Sequence, residues 1–443
     1  MFLEVASTDF GAALICEVAM IEKYSVDEEL LEPGSEADLA ESGDAAGRAP
    51  TRRPEAAGMG GYLARLVAEL RCAADDGHRR IMIAHLFDDT RRMLDALEPV
   101  APFDAVIGVP YSSNRPGVAE AWGARFGDRL RLPADLPELE AVVAQEIARA
   151  LARCEEHGQK LIVQDVGGFA APILHAYFAD RLHLVRGVVE ITKQGVWRAA
   201  ALPLAFPVLH CADSELKRLE AVRCGETVAR CLDGVARTLG HSLAGRRATV
   251  MGAGWIGSGV ARALRRLDMV VELVDTDPIK LVKARLAGFE AAAAPRRLAE
   301  TELLVGATGR LSVTAAHLDA LPDGALVASA SSRQIEIDVA HLAAHPAAPA
   351  CAGVVARRLP PRGSGAASRR VLLVNDGFPA NFLPGSGSVA DEIVETILGE
   401  LIVLQAAIAT GAFRPGVHRI QPEQEALCAR LWLEMRDAPL TAP

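Results

Sequence analysis

Residues 246–278 read RRATVMGAGWIGSGVARALRRLDMVVELVDTDP, and the fold of the chain is decided within them. A β-run, RRATVM, passes straight into Gly252, Gly254 and Gly257, which stand in GxGxxG spacing, and ARALRRL then has helical periodicity. The glycines permit a tight turn and let the backbone approach a pyrophosphate, whose charge sits at the start of the helix that Trp255 and Ile256 open. A second β-run, VVELV, ends on Asp275, about 20 residues on, where a carboxylate accepts from the ribose diol of NAD and repels the 2′-phosphate of NADP. Asp277, directly before Pro278, is the better helix cap. Residues 242–381 are therefore read as a Rossmann-type domain that binds NAD.

Outward from this unit the alternation of β-run and helix continues. Downstream, ELLVGATG, GALVASASS and RVLLVND are strand candidates. GATG, with Thr308, suits a backbone passing under the nicotinamide ribose and equally an ordinary turn. Upstream, RRIMIAH, DAVIGVP, KLIVQDV and LHLVRGVVE form another series. Such alternation predicts parallel, doubly wound sheets, in which ligands bind at the carboxyl ends of the strands. The residues there are His85, then Tyr111 to Asn114, then Asp165 to Gly168, then Glu190 to Thr192, and they are predicted to converge on one cleft.

The expected architecture is α/β, with two doubly wound parallel-sheet (Rossmann-like) domains flanking a cleft and a C-terminal helical tail. Residues 60–225 and 383–443 are assigned to a substrate-binding domain and 226–382 to the NAD-binding domain. Ahead of them stand an N-terminal segment, 1–25, and a linker or insert, 26–59, acidic then basic and too rich in Gly, Ala, Pro and Ser to bury much surface. The apolar-periodic stretch ADEIVETILGELIVLQAAI crosses back to the first domain. The arginines of ARRLPPRGSGAASRR read as a surface loop between two strands.

The 443 residues are half apolar, enough for large cores without staples. A net charge of −10 argues against nucleic acid as partner. The 8 cysteines show no CxxC pair and no metal-ligand rhythm, so no metal is expected and a reducing, cytoplasmic setting fits them. No apolar run reads as a membrane span and the start lacks the plan of a secretory signal.

Over roughly residues 80–385 the chain resembles the S-adenosylhomocysteine hydrolase (adenosylhomocysteinase) family. The matching segments are IVQDVGGFAAPILH, GVVEITKQGV, ADSELKRLEAVRCG, the 250–280 stretch, VGATGRLS, ALVASASSRQIEIDVAHL and VNDGFPANF. In that family a tightly held NAD oxidises the 3′-hydroxyl of the substrate ribose, the 5′ thiol is eliminated, water adds and the ketone is reduced back. The resemblance implies that His85, in HLFDDT against the family's HMTVET, is an acid/base histidine and that Asp165 is a catalytic aspartate. It implies that Lys217 helps to take the 3′ proton. Glu190 and Thr192 match the first glutamate and first threonine of SEETTTGV, and Asn381 matches an asparagine that binds the carboxamide. A homo-oligomer and a small-molecule substrate are implied as well.

The departures lie on the substrate side. The second glutamate of SEE is Ile191, the lysine's partner aspartate is Ala221 with Glu220 beside it, and an asparagine is Ala212. A threonine two places after the histidine is Phe87, which pushes bulk toward the sugar or base, and a later histidine is Ser332. The family's C-terminal lysine-tyrosine tail has no counterpart in RDAPLTAP. Lost polar contacts cost on the order of 1–3 kcal/mol each, so another nucleoside or thioether substrate is expected. A dehydrogenase with exchangeable cofactor and a catalytically silent NAD-binding regulator are the alternatives.

Overall fold

The structure is a computed structural model that describes residues 59–70, 77–361, 367–383 and 389–437; the segment 1–25 and nearly all of the 26–59 insert lie outside the described residues. After a helix Met59–Glu69 come β1 His78–Ala84, β2 Ala105–Gly108, β3 Leu130–Arg131, β4 Lys160–Asp165, β5 Val185–Glu190 and β6 Pro207–His210. A long helix, Glu215–Thr238, then leads to β7 Arg247–Met251, β8 Val270–Val274, β9 Glu290–Ala292, β10 Leu303–Gly306, β11 Ala325–Ser329, β12 Ala347–Cys351, β13 Val354–Leu359 and β14 Arg369–Val374. The chain returns through a helix, Asp391–Thr410, and ends in β15 Gly416–Arg419 and a helix Pro422–Asp437.

The first sheet runs β3-β2-β1-β4-β5-β6-β15 with every pairing parallel. The second runs β12-β13-β14-β11-β10-β7-β8-β9, parallel from β14 to β9 and antiparallel at the β12–β13–β14 edge. In both, the strand order reverses between the first strand of the domain and the one after its third, at β1/β4 and at β7/β10. Ligands bind outside the strand ends at such a reversal.

The near-continuous apolar runs of the sequence are explained by burial on both faces. Ile81, Ile83, Leu161 and Val163 join the cluster on one side of the first sheet, whereas Met82, Ala84, Ile162 and Val189 join that on the other. Ala248, Val250, Leu303 and Val305 alternate in the same way with Met251 and Leu304 in the second sheet.

Three particulars differ from the sequence expectation. The boundary placed at 225/226 falls inside one unbroken helix, Glu215–Thr238, which belongs to both domains. The segment ARRL is not loop but the end of β13, the strand between β12 and β14, whose exposed Arg358 follows the half-buried Ala356 and Arg357. Asp391–Thr410 is long and apolar enough to cross a membrane by length and composition, although no such run was expected. Its Ile397, Leu401, Ile402, Leu404 and Ile408 pack with Tyr62, Leu63, Met82 and Val189, so it is a core helix of the first domain. Each such side chain gains about 1.5–3 kcal/mol by full burial, which offsets taking Glu395, Glu400 and Gln405 out of water on the same helix.

Candidate functional site

β7 runs directly into the glycine turn. A Cβ on Gly257 would collide with the Gly252 carbonyl, so that helix start packs onto the strand end only without a side chain. Gly254 precedes the helix Trp255–Arg266, and a Cβ there would meet nothing within 4 Å, which leaves the open side of the turn clear for phosphate. Half-buried Trp255 and Ile256 open the helix beside it.

At the end of β8, Asp275 accepts from the Ala253 amide at 2.8 Å and the Asp277 amide at 2.9 Å, with Lys280 Nζ 3.3 Å away. Burial pushes its carboxyl up, but these amides and Lys280 outweigh burial and hold it below the usual range. Asp277 accepts from Ile279 N at 2.8 Å and is the helix cap, as expected. Asn381 is buried in the turn Ala380–Phe382, its Nδ2 3.6 Å from Cys224 Sγ.

The GATG turn at the end of β10 is held by a residue that the sequence reading passed over. Fully buried Glu336 accepts from Thr308 N at 2.6 Å, Thr308 Oγ1 at 2.9 Å, Ser331 Oγ at 2.5 Å and the Gly309 amide. The signal was an acidic residue between isoleucines in RQIEID, where a solvated side chain is not expected. The open glycine turn, the Asp275 carboxylate at the end of β8 and the braced GATG turn together fit NAD.

On the substrate side, Glu190 ends β5 and is buried. Its Oε1 accepts from Ile191 N at 2.9 Å, Thr192 N at 2.7 Å, Thr192 Oγ1 at 2.8 Å and Gly167 N at 3.2 Å, and its Oε2 from Gly168 N at 2.9 Å. Asp165, at the end of β4, accepts from Val166 N at 2.8 Å and Ala170 N at 2.7 Å. Burial raises both carboxyls, Glu190 to about 8 with Asp165 adding repulsion. Each therefore organises strand-end loops through backbone amides. Thr192 caps the helix Lys193–Ala200, accepting from Gly195 N at 3.0 Å.

His85, after β1, does not cap the next helix; its Nδ1 lies 2.6 Å from Ser112 Oγ. Burial first, then Lys217 and Arg115, lower its pKa to about 3, so the ring is neutral at working pH. Around it stand Phe382 at 4.9 Å, Tyr111 at 5.6 Å and Phe87 at 6.4 Å between ring centroids, with Phe378 stacked on Tyr111 at 5.1 Å. Phe378 and Phe382 come from the far end of the second domain.

Lys217 lies in the first turn of the helix Glu215–Thr238, where Ser214 Oγ accepts from its amide at 2.9 Å. Its Nζ is 2.6 Å from Glu220 Oε2, and the two side chains are only 19% and 11% exposed. Burial opposes its charge, yet the Glu220 carboxylate prevails and raises its pKa. Lys217, Glu220 and Cys224 share one face of this helix, and Cys224 touches Asn381, so that face meets the turn Ala380–Phe382.

Contacts also cross the cleft. Arg333, from the loop after β11, donates to Gly167 O at 2.9 Å and lies 3.9 Å over the Phe169 ring. Gln194 reaches Gly309 O at 3.3 Å, and Arg310 lies 5.3 Å over Trp197. The polar strand ends thus form two neighbouring groups, His85 with Tyr111 and Ser112, and Asp165 with Glu190 and Thr192. Arg333 lies beside both.

Fold and site define a two-domain, NAD-binding α/β protein with a lysine and a histidine in the interdomain cleft. The description "S-adenosyl-L-homocysteine hydrolase, NAD binding domain" matches residues 224–355. An S-inosyl-L-homocysteine hydrolase of Methanopyrus kandleri is 30% identical over 366 residues, 80% of this chain and 82% of its own. An adenosylhomocysteinase of Aeropyrum pernix is 29% identical over 287 residues, 62% of this chain and 66% of its own. One of Gloeothece citriformis is 25% identical over 365 residues, covering 81% and 82%. The chain belongs to the adenosylhomocysteinase family.

Proposed function

We propose that this protein is an NAD-dependent hydrolase that oxidises a substrate hydroxyl transiently to cleave a nucleoside thioether, a substrate other than S-adenosylhomocysteine. The observation that carries the reading is the buried Lys217–Glu220 pair on the helix face that meets Asn381. Glu220 stands in for the aspartate whose place Ala221 takes. The relatives' names, one of them an S-inosyl-L-homocysteine hydrolase, support a nucleosyl thioether.

When bound, NAD supplies the acceptor and later the donor of a hydride at the substrate hydroxyl carbon. Lys217, held as ammonium, donates to the hydroxyl oxygen, and the hydroxyl proton passes to the Glu220 carboxylate, whose Oε2 lies 2.6 Å from the Lys217 Nζ. Neutral His85, set by Ser112, moves the proton between the neighbouring carbon and the leaving thiol. Water then adds at the vacated carbon while His85 returns a proton to the neighbouring one, so the net change is hydrolysis of one C–S bond. Arg333 and Gln194 close the cleft over the oxidised intermediate and exclude bulk water. The same reading carries a homo-oligomer, which light scattering measures.

The test is to purify the protein without added nucleotide, quantify the cofactor released on denaturation, and then assay thiol release from S-nucleosyl-homocysteines. Near-stoichiometric NAD with thiol release supports the proposal. An empty site with accumulating NADH points to an exchangeable-cofactor dehydrogenase, and retained NAD with neither product points to a silent binder.

A further inference from the structure

The helix that carries Lys217 begins against the returning end of the chain. Glu425, from the helix Pro422–Asp437, accepts from Glu215 N at 2.6 Å and Leu216 N at 3.1 Å through one oxygen, Oε1. Ser214 Oγ accepts from the next amide, Lys217 N, at 2.9 Å, and its own proton goes to Glu400 Oε2 at 2.8 Å. Three successive N–H groups of the kind that a helix start leaves open are thus answered by one carboxyl directly and by another through a hydroxyl.

Ser214 and Glu400 are both fully buried. A hydroxyl has one proton and turns to suit its partners. With that proton given to Glu400, the lone pairs of Ser214 are left facing the helix start, so the carboxyl sets the direction in which the cap works. The Cys211 thiol faces the same carboxyl, and Ser214 N donates to Cys211 O at 3.0 Å. Residues 211–214, which link β6 to the helix, are therefore gripped at both ends. The neighbours of Glu400 along its helix, Leu398, Leu401 and Leu404, are core residues, and a polar side chain in their company gives up its water for the partners it finds there. Burial above all raises the Glu400 carboxyl to about 8. Near pH 7 it is chiefly the neutral acid, and it serves Ser214 as an acceptor more than as a charge.

We infer that Glu400 is a positioning residue for Lys217: by orienting the Ser214 hydroxyl it fixes the first turn of the helix and so holds the ammonium in register with Glu220 and the substrate hydroxyl. This rests on the hydrolase reading for the reaction that Lys217 serves, but the hold on the lysine is measurable without turnover. The NAD-loaded full chain is acetylated with limiting acetic anhydride, and the labelling of Lys217 is read by mass spectrometry against that of exposed Lys283. The rate of hydroxyl oxidation with an S-nucleosyl-homocysteine, its KM and the NAD content are measured on the same proteins.

Glu400→Leu and Ser214→Ala are each expected to raise the labelling of Lys217 and to lower the oxidation rate about 5- to 10-fold, the size of one lost cap bond, with KM and NAD content kept. The double variant is expected to be no worse than either single one, because both remove the same link. Glu400→Gln keeps an acceptor for Ser214 and is expected to restore both readings most of the way. Should Glu400→Leu fail to fold, Ser214→Ala and Glu400→Gln carry the comparison. Parental labelling of Lys217 in Ser214→Ala, losses that add in the double variant, or a Glu400→Gln protein as labelled and as slow as Ser214→Ala overturns the inference. The expected labelling pattern in a protein that oxidises no nucleosyl thioether leaves Glu400 assigned and removes the hydrolase reading.

Discussion

At Lys217 two forces oppose each other, burial favouring the neutral amine and the Glu220 carboxylate favouring the ammonium, and the carboxylate wins. The residue therefore acts as a charged holder of the hydroxyl with Glu220 as proton sink. Lys217→Met is expected to lower the rate of hydroxyl oxidation about 10²–10⁴-fold while NAD stays bound, read as reduced-cofactor absorbance after mixing with substrate. At His85 the sign is opposite. Its folded pKa lies near 3 against an ordinary 6.5, so the unfolded chain takes up a proton that the folded one refuses, and stability falls as pH drops from 6.5 toward 3. Thermal melts of His85→Asn are expected to show a shallower decline across that window than the parent. The parent's kcat/KM is likewise expected to lack a histidine inflection near pH 6.5. The cofactor residues were legible in the sequence because Gly252 to Asp275 form one contiguous stretch whose spacing carries the chemistry. Phe382 against His85, or Arg333 beside Gly167, joins residues 166 or more positions apart, and no local pattern announces such a pair.

Among elements, the helix Glu215–Thr238 joins the two sites. It starts at Lys217 and crosses the helix Trp255–Arg266 where Gly225 and Gly259 bring backbone against backbone. The sequence expectation split it at 225/226, although the helix runs unbroken from Glu215 to Thr238. Strands β1, β2, β4 and β5 were recognised by long apolar runs; β6 was too short for one, the edge strand β12 is small and exposed, and β13 carries two arginines. The Arg333 strap has its own consequence. With its Nη2–Gly167 bond and its stack on Phe169 removed, Arg333→Ala is expected to leave NAD content unchanged, raise KM, and release oxidised substrate with NADH left behind. A variant that keeps the parental KM and closes as tightly in small-angle scattering would sink the strap.

For the whole molecule, the telling feature is that the first sheet is finished by the end of the chain. Helix Asp391–Thr410 fills one of its faces and β15 adds its edge beyond β6, whereas the second sheet is continuous from β7 to β14. Hydrogen exchange is expected to show two cooperative units, with β1–β6 losing protection together with β15 and Asp391–Thr410, and β7–β14 separately; a single common opening would contradict this. During synthesis, then, the usual order of amino-terminal domain first is reversed. The ribosome delivers β1–β6 early, but their sheet closes only after Asp391–Thr410 and β15 have followed the whole nucleotide-binding half, which by then has all its own strands. The nascent first domain waits half-made, its β6 edge and apolar face exposed to chaperones, for a helix and a strand that are made only after the other domain.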